Sequence, residues 1–414
     1  MKSEYDVIVV GARAAGAALA YELAQEGFEV LLLDENLFPS DTLCVNHLHG
    51  DSLAMLHEMG VLDRLLAAGG PRYRRAKFYS DGTVIGGLLP GGEEASSCLC
   101  VRRQIFDNVL LDHAKKQSGV RMLEGFKVVG LLRENGVVTG VIGQHRDGRA
   151  VSFSAHLVVG ADGRMSTVRL MAESARIYSE TVPIACYVAY VTEYEQDDAP
   201  LAEFFESREG SAAVFPTSGG RHAVRIVFPL SSEVWCSRFS AHPETAFPAF
   251  VAEAFGGTLL PKRLKAAKIE SVRGAQGFEN GWYQGMGAGW ALAGDALTCR
   301  DPRYGQGVHD ALYGAKLLAA VLSDYHPRHW GRNWELIGSV YQSALEKRLL
   351  SRFRQACTRT EALSDPAQKA DILRRIAADP SAAPIFLGFM SGIIEPEEWE
   401  REIGRLTTAQ PLPQ

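Results

Sequence analysis

What this chain has little of narrows the field first. None of its 414 residues belongs to an apolar run approaching the ~20 residues that span a bilayer. The longest weakly polar run, 382–394, holds Pro384 and two glycines, so it is expected to pack against the protein rather than enter a membrane. Cysteine is sparse and unframed: seven in all, an odd number. Cys98 and Cys100 stand too close for a CxxC redox motif, and no second pair completes a zinc set. No metal site is expected, and reduced thiols in a cytoplasmic protein are. Positive charge is not in excess. Lys plus Arg number 43 against 49 Asp plus Glu, a net charge of -6, whereas a nucleic-acid binder shows a basic footprint. Near the N-terminus Glu4 and Asp6 interrupt any signal-peptide pattern. Internal repeats and low-complexity tracts are absent.

What is present reads as two or three domains. Residues 5–10, YDVIVV, form a short β-branched run ending at Gly11, as in a parallel strand covered on both faces. Small, helix-favouring residues fill 14–25, and 28–33, FEVLLL, is a second strand closed by Asp34. This is a βαβ unit. The stretch 49–68 reads as one helix, with Leu53, Leu56, Leu62 and Leu65 apolar, and 104–116 as another, with Ile105, Val109, Leu110 and Ala114 at helical spacing. Strands with glycine breaks fill 121–153, and 156–159 is a further buried strand. Over 176–273 strand-like alternation dominates (184–191, 212–215, 223–228, 266–272), with one helix at 244–255. A strand at 291–293 returns to the first unit, 307–322 is a long helix, and the chain beyond Pro327 is helical and charge-rich.

Three motifs carry chemistry. The first is Gly11-Ala-Arg13-Ala-Ala15-Gly16, between strand and helix. Gly11 permits the tight turn, Gly16 lets helix and strand pack, and the N–H groups at the helix N-terminus point at a pyrophosphate. Arg13 stands where the dinucleotide fingerprint has glycine, and it lies either against the pyrophosphate or in solvent. Asp34, 23 residues after Gly11, is placed to accept ribose hydroxyls. The second motif is Gly160-Ala-Asp162-Gly163-Arg164 followed by Ser166. Asp162 either holds a turn or meets a cofactor, and Ser166 suits a helix cap. The third is WALAGD at 290–295, with Pro302 and Gly305-Gln306-Gly307 before the long helix. A carboxylate at a strand end suits ribityl or ribose hydroxyls, and a glycine-led helix N-terminus suits developing negative charge.

Order and spacing together resemble the FAD-dependent monooxygenase superfamily of single-component aromatic hydroxylases, whose relatives include flavin halogenases and geranylgeranyl reductases. The resemblance covers roughly 5–325, in pattern only through the middle. It implies an α/β fold: a Rossmann-like FAD-binding domain (1–70, 101–175 and 274–325), an inserted β-sheet substrate domain (71–100 and 176–273) and a helical C-terminal region (326–414). It implies FAD held by Gly11, Arg13, Ala15, Gly16, Asp34, Arg103, Asp162, Gly163, Asp295, Pro302, Gly305, Gln306 and Gly307. Arg103 enters through VRR at 101–103 before Phe106-Asp107, which is similar to the family's arginine-helix segment. Leu297-Thr298 and His309 depart from the Ala-His and asparagine that many hydroxylases carry there.

The activity so implied is reduction of FAD by NAD(P)H, addition of O2 at the flavin C4a position, and delivery of one oxygen atom to a small organic substrate, aromatic or polyketide-like. Such chemistry belongs to the cofactor, while the protein supplies position and field. Tyr187, Tyr190, Phe205, Phe215 and Arg225 alternate along the middle strands and are candidates to line the substrate space. Asp41, Thr42, His47 and His49 follow the second strand, where the family's chain nears the flavin; His47, Arg303 and Tyr304 are the catalytic candidates. The main alternative is a flavin-dependent reductase of isoprenoid or other C=C bonds. A redox-neutral flavoenzyme and a non-catalytic flavin binder remain further readings. The W-x-W-x-I-P signature of halogenases is absent.

Overall fold

The computed structural model describes residues 4–42, 44–80, 82–93, 96–196, 199–358 and 366–408. Its first sheet is centred on the strand Glu4–Val10, which pairs in parallel with Val30–Asp34 on one side and Ala150–Gly160 on the other. Val120–Glu124 extends it beyond Val30–Asp34, and Trp290–Leu292 beyond Ala150–Gly160, both in parallel. Val7, Ile8 and Val9 are wholly buried, as a strand covered on both faces requires. The helices Ala14–Gln25, Arg103–Lys115 and Gly307–Ser323 pack together beside this sheet. An antiparallel hairpin, Phe126–Glu134 with Val137–His145, brings Phe126, Val138 and Val141 into the same core. This is the Rossmann-like layer expected.

The middle of the chain forms an eight-stranded, largely antiparallel sheet. Its order is Thr298–Cys299, Lys268–Tyr283, Arg176–Thr192, Arg221–Pro229, Ser211–Thr217, Ala202–Glu206, Arg75–Ser80, Thr83–Leu88. The border anticipated between 273 and 274 falls inside the strand Lys268–Tyr283, which pairs along Arg176–Thr192 as far as Arg176 opposite Tyr283. Gly274 makes room for a ring there, because a Cβ would lie 2.0 Å from Tyr187 Cδ1.

The two faces of this sheet have different covers. Tyr187, Phe205, Val224, Ile226 and Phe228 join Trp235, Phe239, Phe247 and Phe250 of the helices Glu233–Ala241 and Pro243–Ala254. Val188, Tyr190, Phe204 and Phe215 join Ile372, Ile376, Phe386 and Leu387 of the C-terminal helices Pro366–Ala378 and Ala382–Met390. Successive strand side chains alternate between faces, so Tyr187 and Tyr190, three apart, cannot share one. Tyr187 and Phe205 pack beneath the helices Glu233–Ala241 and Pro243–Ala254, and Tyr190 and Phe215 beneath the C-terminal helices.

Three further differences have local causes. The helix expected over 49–68 is two, Gly50–Glu58 and Leu62–Ala67, divided at Gly60, whose φ of 73° ends a helix and does not continue one. The helices Glu233–Ala241 and Leu260–Ala266 interrupt a region read as almost all strand. The apolar run at 382–394 contributes the helix Ala382–Met390, with Phe386 and Leu387 buried on the sheet. No helix among the described residues is long and apolar enough to cross a membrane, and all seven cysteines are free.

Phe205→Ala is expected to cost about 3–5 kcal/mol of stability without changing cofactor content. Urea unfolding and flavin absorbance per protein check both halves; loss of flavin from a folded variant would place Phe205 on the wrong face.

Candidate functional site

The glycine turn is fixed by sterics. Gly11 has φ 99°, and a Cβ there would stand 2.4 Å from the Ala161 carbonyl oxygen; one on Gly16 would stand 1.7 Å from the Gly11 oxygen. The helix Ala14–Gln25 has no side-chain cap and no acidic residue in its first turn, which leaves its N-terminal N–H groups for an anion. Arg13 sits at φ -85°, where glycine has no advantage. Its guanidinium is held by two protein groups. It pairs with the Asp107 carboxylate at 3.2 Å and donates to the Asp41 carbonyl at 3.2 Å. Asp107 is completely buried and also holds Arg103 at 2.9 Å. Burial opposes the Arg103 charge, but Asp107 beside it raises its pKa above the ordinary arginine value.

Asp34 is buried at the end of its strand. One oxygen accepts from Ala12 N at 2.8 Å, the other from the backbone N and side-chain amide of Asn36 at 2.8 and 3.0 Å. That fills three of about four acceptor positions of a carboxylate, so a ribose diol needs the Asn36 amide to turn aside. Asp162 is spent differently. Its oxygens accept from Ser166 Oγ, Thr167 N and Val168 N, and Ser166 Oγ accepts from Arg169 N. Asp162 and Ser166 thus cap the short helix Thr167–Met171, while Gly163, at φ 83°, completes the turn. Arg169 crosses from there to the third motif, donating to the Ala296 carbonyl at 2.9 Å with its guanidinium 4.0 Å from the Tyr283 ring centroid.

In that third motif the Asp295 carboxylate accepts no hydrogen bond from the described residues. Its side chain is open to solvent yet sits deep in a cleft. Burial by the surrounding walls raises its pKa, against the lowering influence of Arg103, Arg164, Arg300 and Arg169. A Cβ on Gly307, the first residue of the helix Gly307–Ser323, would lie 3.7 Å from it. That helix also lacks a side-chain cap. An unpartnered carboxylate, an uncapped helix start and the glycine cradle of the first motif suit the ribityl hydroxyls, anionic ring edge and pyrophosphate of a flavin dinucleotide.

The family model described as "FAD binding domain" matches residues 4–328. The chain belongs to that FAD-binding family. A menaquinone reductase of Mycobacterium tuberculosis is 28% identical over 338 residues, covering 80% of this chain and 78% of that protein. A digeranylgeranylglycerophospholipid reductase of Methanosarcina mazei is 28% identical over 77% of this chain and 74% of its own length. Among solved structures, the myxobacterial chondrochloren halogenase superposes with a TM-score of 0.74 at 21% identity, over 98% of this chain and 96% of that one. The chain is thus an FAD-binding protein of an oxidoreductase family, and Gly11, Gly16 and Asp295 fit the cofactor.

The wall facing this FAD-binding site is less reactive than the sequence suggested. His47 Nδ1 lies 2.7 Å from the Tyr73 hydroxyl and Nε2 3.1 Å from the Ser391 carbonyl. A carbonyl only accepts, so Nε2 carries the proton and Nδ1 accepts from Tyr73. Burial, then His49 and Arg225, push the His47 pKa down to about 3. With both nitrogens engaged and its ring stacked on Phe215 at 4.7 Å, His47 is a clamp and not an acid or base. His49 is held down to about 4 by burial and Arg352, and Nε2 bonds Gln306 Oε1 at 3.0 Å. Gln306 also takes Arg352 Nη1 at 3.2 Å and donates to the Gly392 carbonyl; its side chain serves the C-terminal region.

The other two catalytic candidates also turn away. Arg303 pairs with the buried Asp301, which caps the turn Pro302–Tyr304, and Tyr304 donates to the Gln355 carbonyl at 2.9 Å. Gly305, at φ 65°, closes this turn. Arg225 reaches it from the sheet, donating to the Pro302 carbonyl at 2.9 Å, and Tyr190 donates to the Cys44 carbonyl at 3.3 Å beneath Arg102. Asp41 pairs with Arg102 and Arg273. With Thr42, Cys44, Val188 and Tyr190 it lines a small cavity. Leu43, next to these, lies outside the described residues. Cys44, Arg300 and Arg352 were not foreseen. An arginine five residues before Gly305 in a buried stretch was the one available sign for Arg300; nothing local marks Arg352.

Asp295→Ala is expected to weaken FAD binding roughly 10- to 100-fold, the value of lost hydrogen bonds to a charged acceptor; fluorescence titration of the apo-protein measures it, and wild-type affinity would count against this placement. A second outcome concerns pH. His47 and His49 take protons below about 6.5 in the unfolded chain but only near 3 and 4 in the folded one. Their contribution is whole above about pH 6.5 and is lost as pH falls toward 4, at up to about 1.4 kcal/mol per group per pH unit. Urea midpoints across that window are expected to fall less steeply in His47→Gln/His49→Gln.

Proposed function

We propose that this FAD-dependent oxidoreductase is a monooxygenase, taking electrons from NAD(P)H and placing one atom of O2 on a small, electron-rich organic substrate. The bound flavin supplies the redox chemistry. The observation that carries the reading is the proton-inert wall. Among the described residues on that side, His47 and His49 are neutral and engaged, and burial raises the pKa of Tyr73 and Tyr190. Such a wall orients a substrate and excludes water without serving as a proton relay. Oxygen transfer to an electron-rich ring asks for positioning and a dry site, whereas saturating an isolated C=C bond asks for a proton at one carbon. Tyr190 and Phe215 supply flat apolar surface, and Arg225 anchors the turn Pro302–Tyr304 beside the Asp295 cleft.

A second reading is favoured by one group. Cys44 lines the cavity beside Tyr190, and its thiol is placed to give that proton in a reductase of isoprenoid-like double bonds. The names of the reductases at 28% identity lean the same way.

Rapid mixing of the anaerobically reduced protein with O2 separates the two. A flavin spectrum distinct from the reduced and oxidised forms, with label from isotopic O2 in the product, is the expected result. One-step reoxidation even with aromatic substrates present would overturn it. If Cys44→Ser then lowers the reduction of an isoprenoid alkene about 100-fold or more, the reductase reading stands instead.

A further inference from the structure

Below the turn Pro302–Tyr304 lies a cavity of about 30 Å³, room on the order of two waters. Arg300, Arg303 and Arg352 contribute to its lining, with Tyr304 and Gln306, and no carboxylate among the described residues does. Arg300 is only 5% exposed and pairs with Asp310 of the helix Gly307–Ser323 through one nitrogen. Its other terminal nitrogen, Nη1, is buried and has no hydrogen-bond partner. A buried guanidinium N–H left unpaired costs about 1–3 kcal/mol or more. Arg352 is committed to Glu395 and Gln306, and Arg303 to Asp301.

We infer that this cavity is an oxyanion site, taking a carboxylate or phosphate group on Arg300 Nη1. Asp310 holds one prong of the guanidinium fork, Nη2, which leaves Nη1 with two N–H donors for such a group. Burial and the neighbouring Arg352 lower the Arg300 pKa to about 10, so it remains charged at neutral pH but gains from an anion. Phe389, Met390 and Ile394 form the apolar side of the same cavity, which suits an anion carried on a hydrocarbon. The assignment does not depend on whether the flavin oxygenates or reduces.

The test uses FAD-loaded protein at constant ionic strength, so that the cofactor's own phosphates are already placed. Inorganic phosphate and octyl phosphate are titrated by calorimetry, with octanol as the uncharged control. Both phosphates are expected to bind and octanol not. Octyl phosphate tighter than phosphate makes the oxyanion part of an organic ligand; equal affinities make it a free anion. Arg300→Lys keeps a charge opposite Asp310 but loses the fork, and Arg300→Gln/Asp310→Asn removes both members of the buried pair. At matched flavin content each is expected to bind roughly 10-fold more weakly. No heat from either phosphate, or wild-type affinity in both variants, overturns the proposal.

Discussion

The cofactor site depends on three turns meeting without side chains between them. A Cβ on Gly11 would strike the Ala161 carbonyl, which joins the first motif to the second. A Cβ on Gly294, at φ 61°, would stand 2.7 Å from the Ala15 Cβ, which joins the third motif to the first. Any larger residue at these contacts separates strand ends that must lie together for one ligand to touch all three. The parallel register of Glu4–Val10 between its neighbours sets the ends side by side, and the small residues let them close. Arg13, Asp107 and Arg103 then fix the first turn to the helix Arg103–Lys115 through a carboxylate with no access to water.

Much of this was legible in the sequence because it rests on local constraints. A glycine forced by a left-handed turn, a β-branched strand and a capping serine all announce themselves within a few residues, and Gly11, Ser166 and Gly305 do. What could not be read was direction. Arg13, Asp162 and Gln306 are where the motifs put them, but their side chains turn to Asp107, to the amides of Thr167 and Val168 and to Arg352, partners fixed by tertiary packing. The middle sheet shows the same limit. Alternation identifies its strands, yet what covers each face depends on helices laid over it, and two of those, Glu233–Ala241 and Leu260–Ala266, lie in stretches given no element of their own.

The C-terminal region is tied to the cofactor helix through Gln306, which receives His49 and Arg352 and gives to Gly392. Gln306 directly precedes the helix whose N-terminus faces Asp295. Glu395 gathers Arg348 and Arg352, so the chain beyond residue 326 buttresses the turn Pro302–Tyr304 as well as covering the middle sheet. The histidine clamp repeats the arrangement, since His47 joins the segment after the second strand to Ser391.

Burial lowers the pKa of both kinds of base in this wall, with different outcomes. It drives histidine to its neutral form, because an imidazolium gains less from a dry site than it loses in hydration. Arginine starts so far above neutrality that the same penalty, which lowers Arg225 and Arg300, leaves it charged. The result is a surface whose histidines and arginines hold their charge states across the neutral range. A protein so arranged has to draw its reactivity from the cofactor and its selectivity from fixed charge and shape.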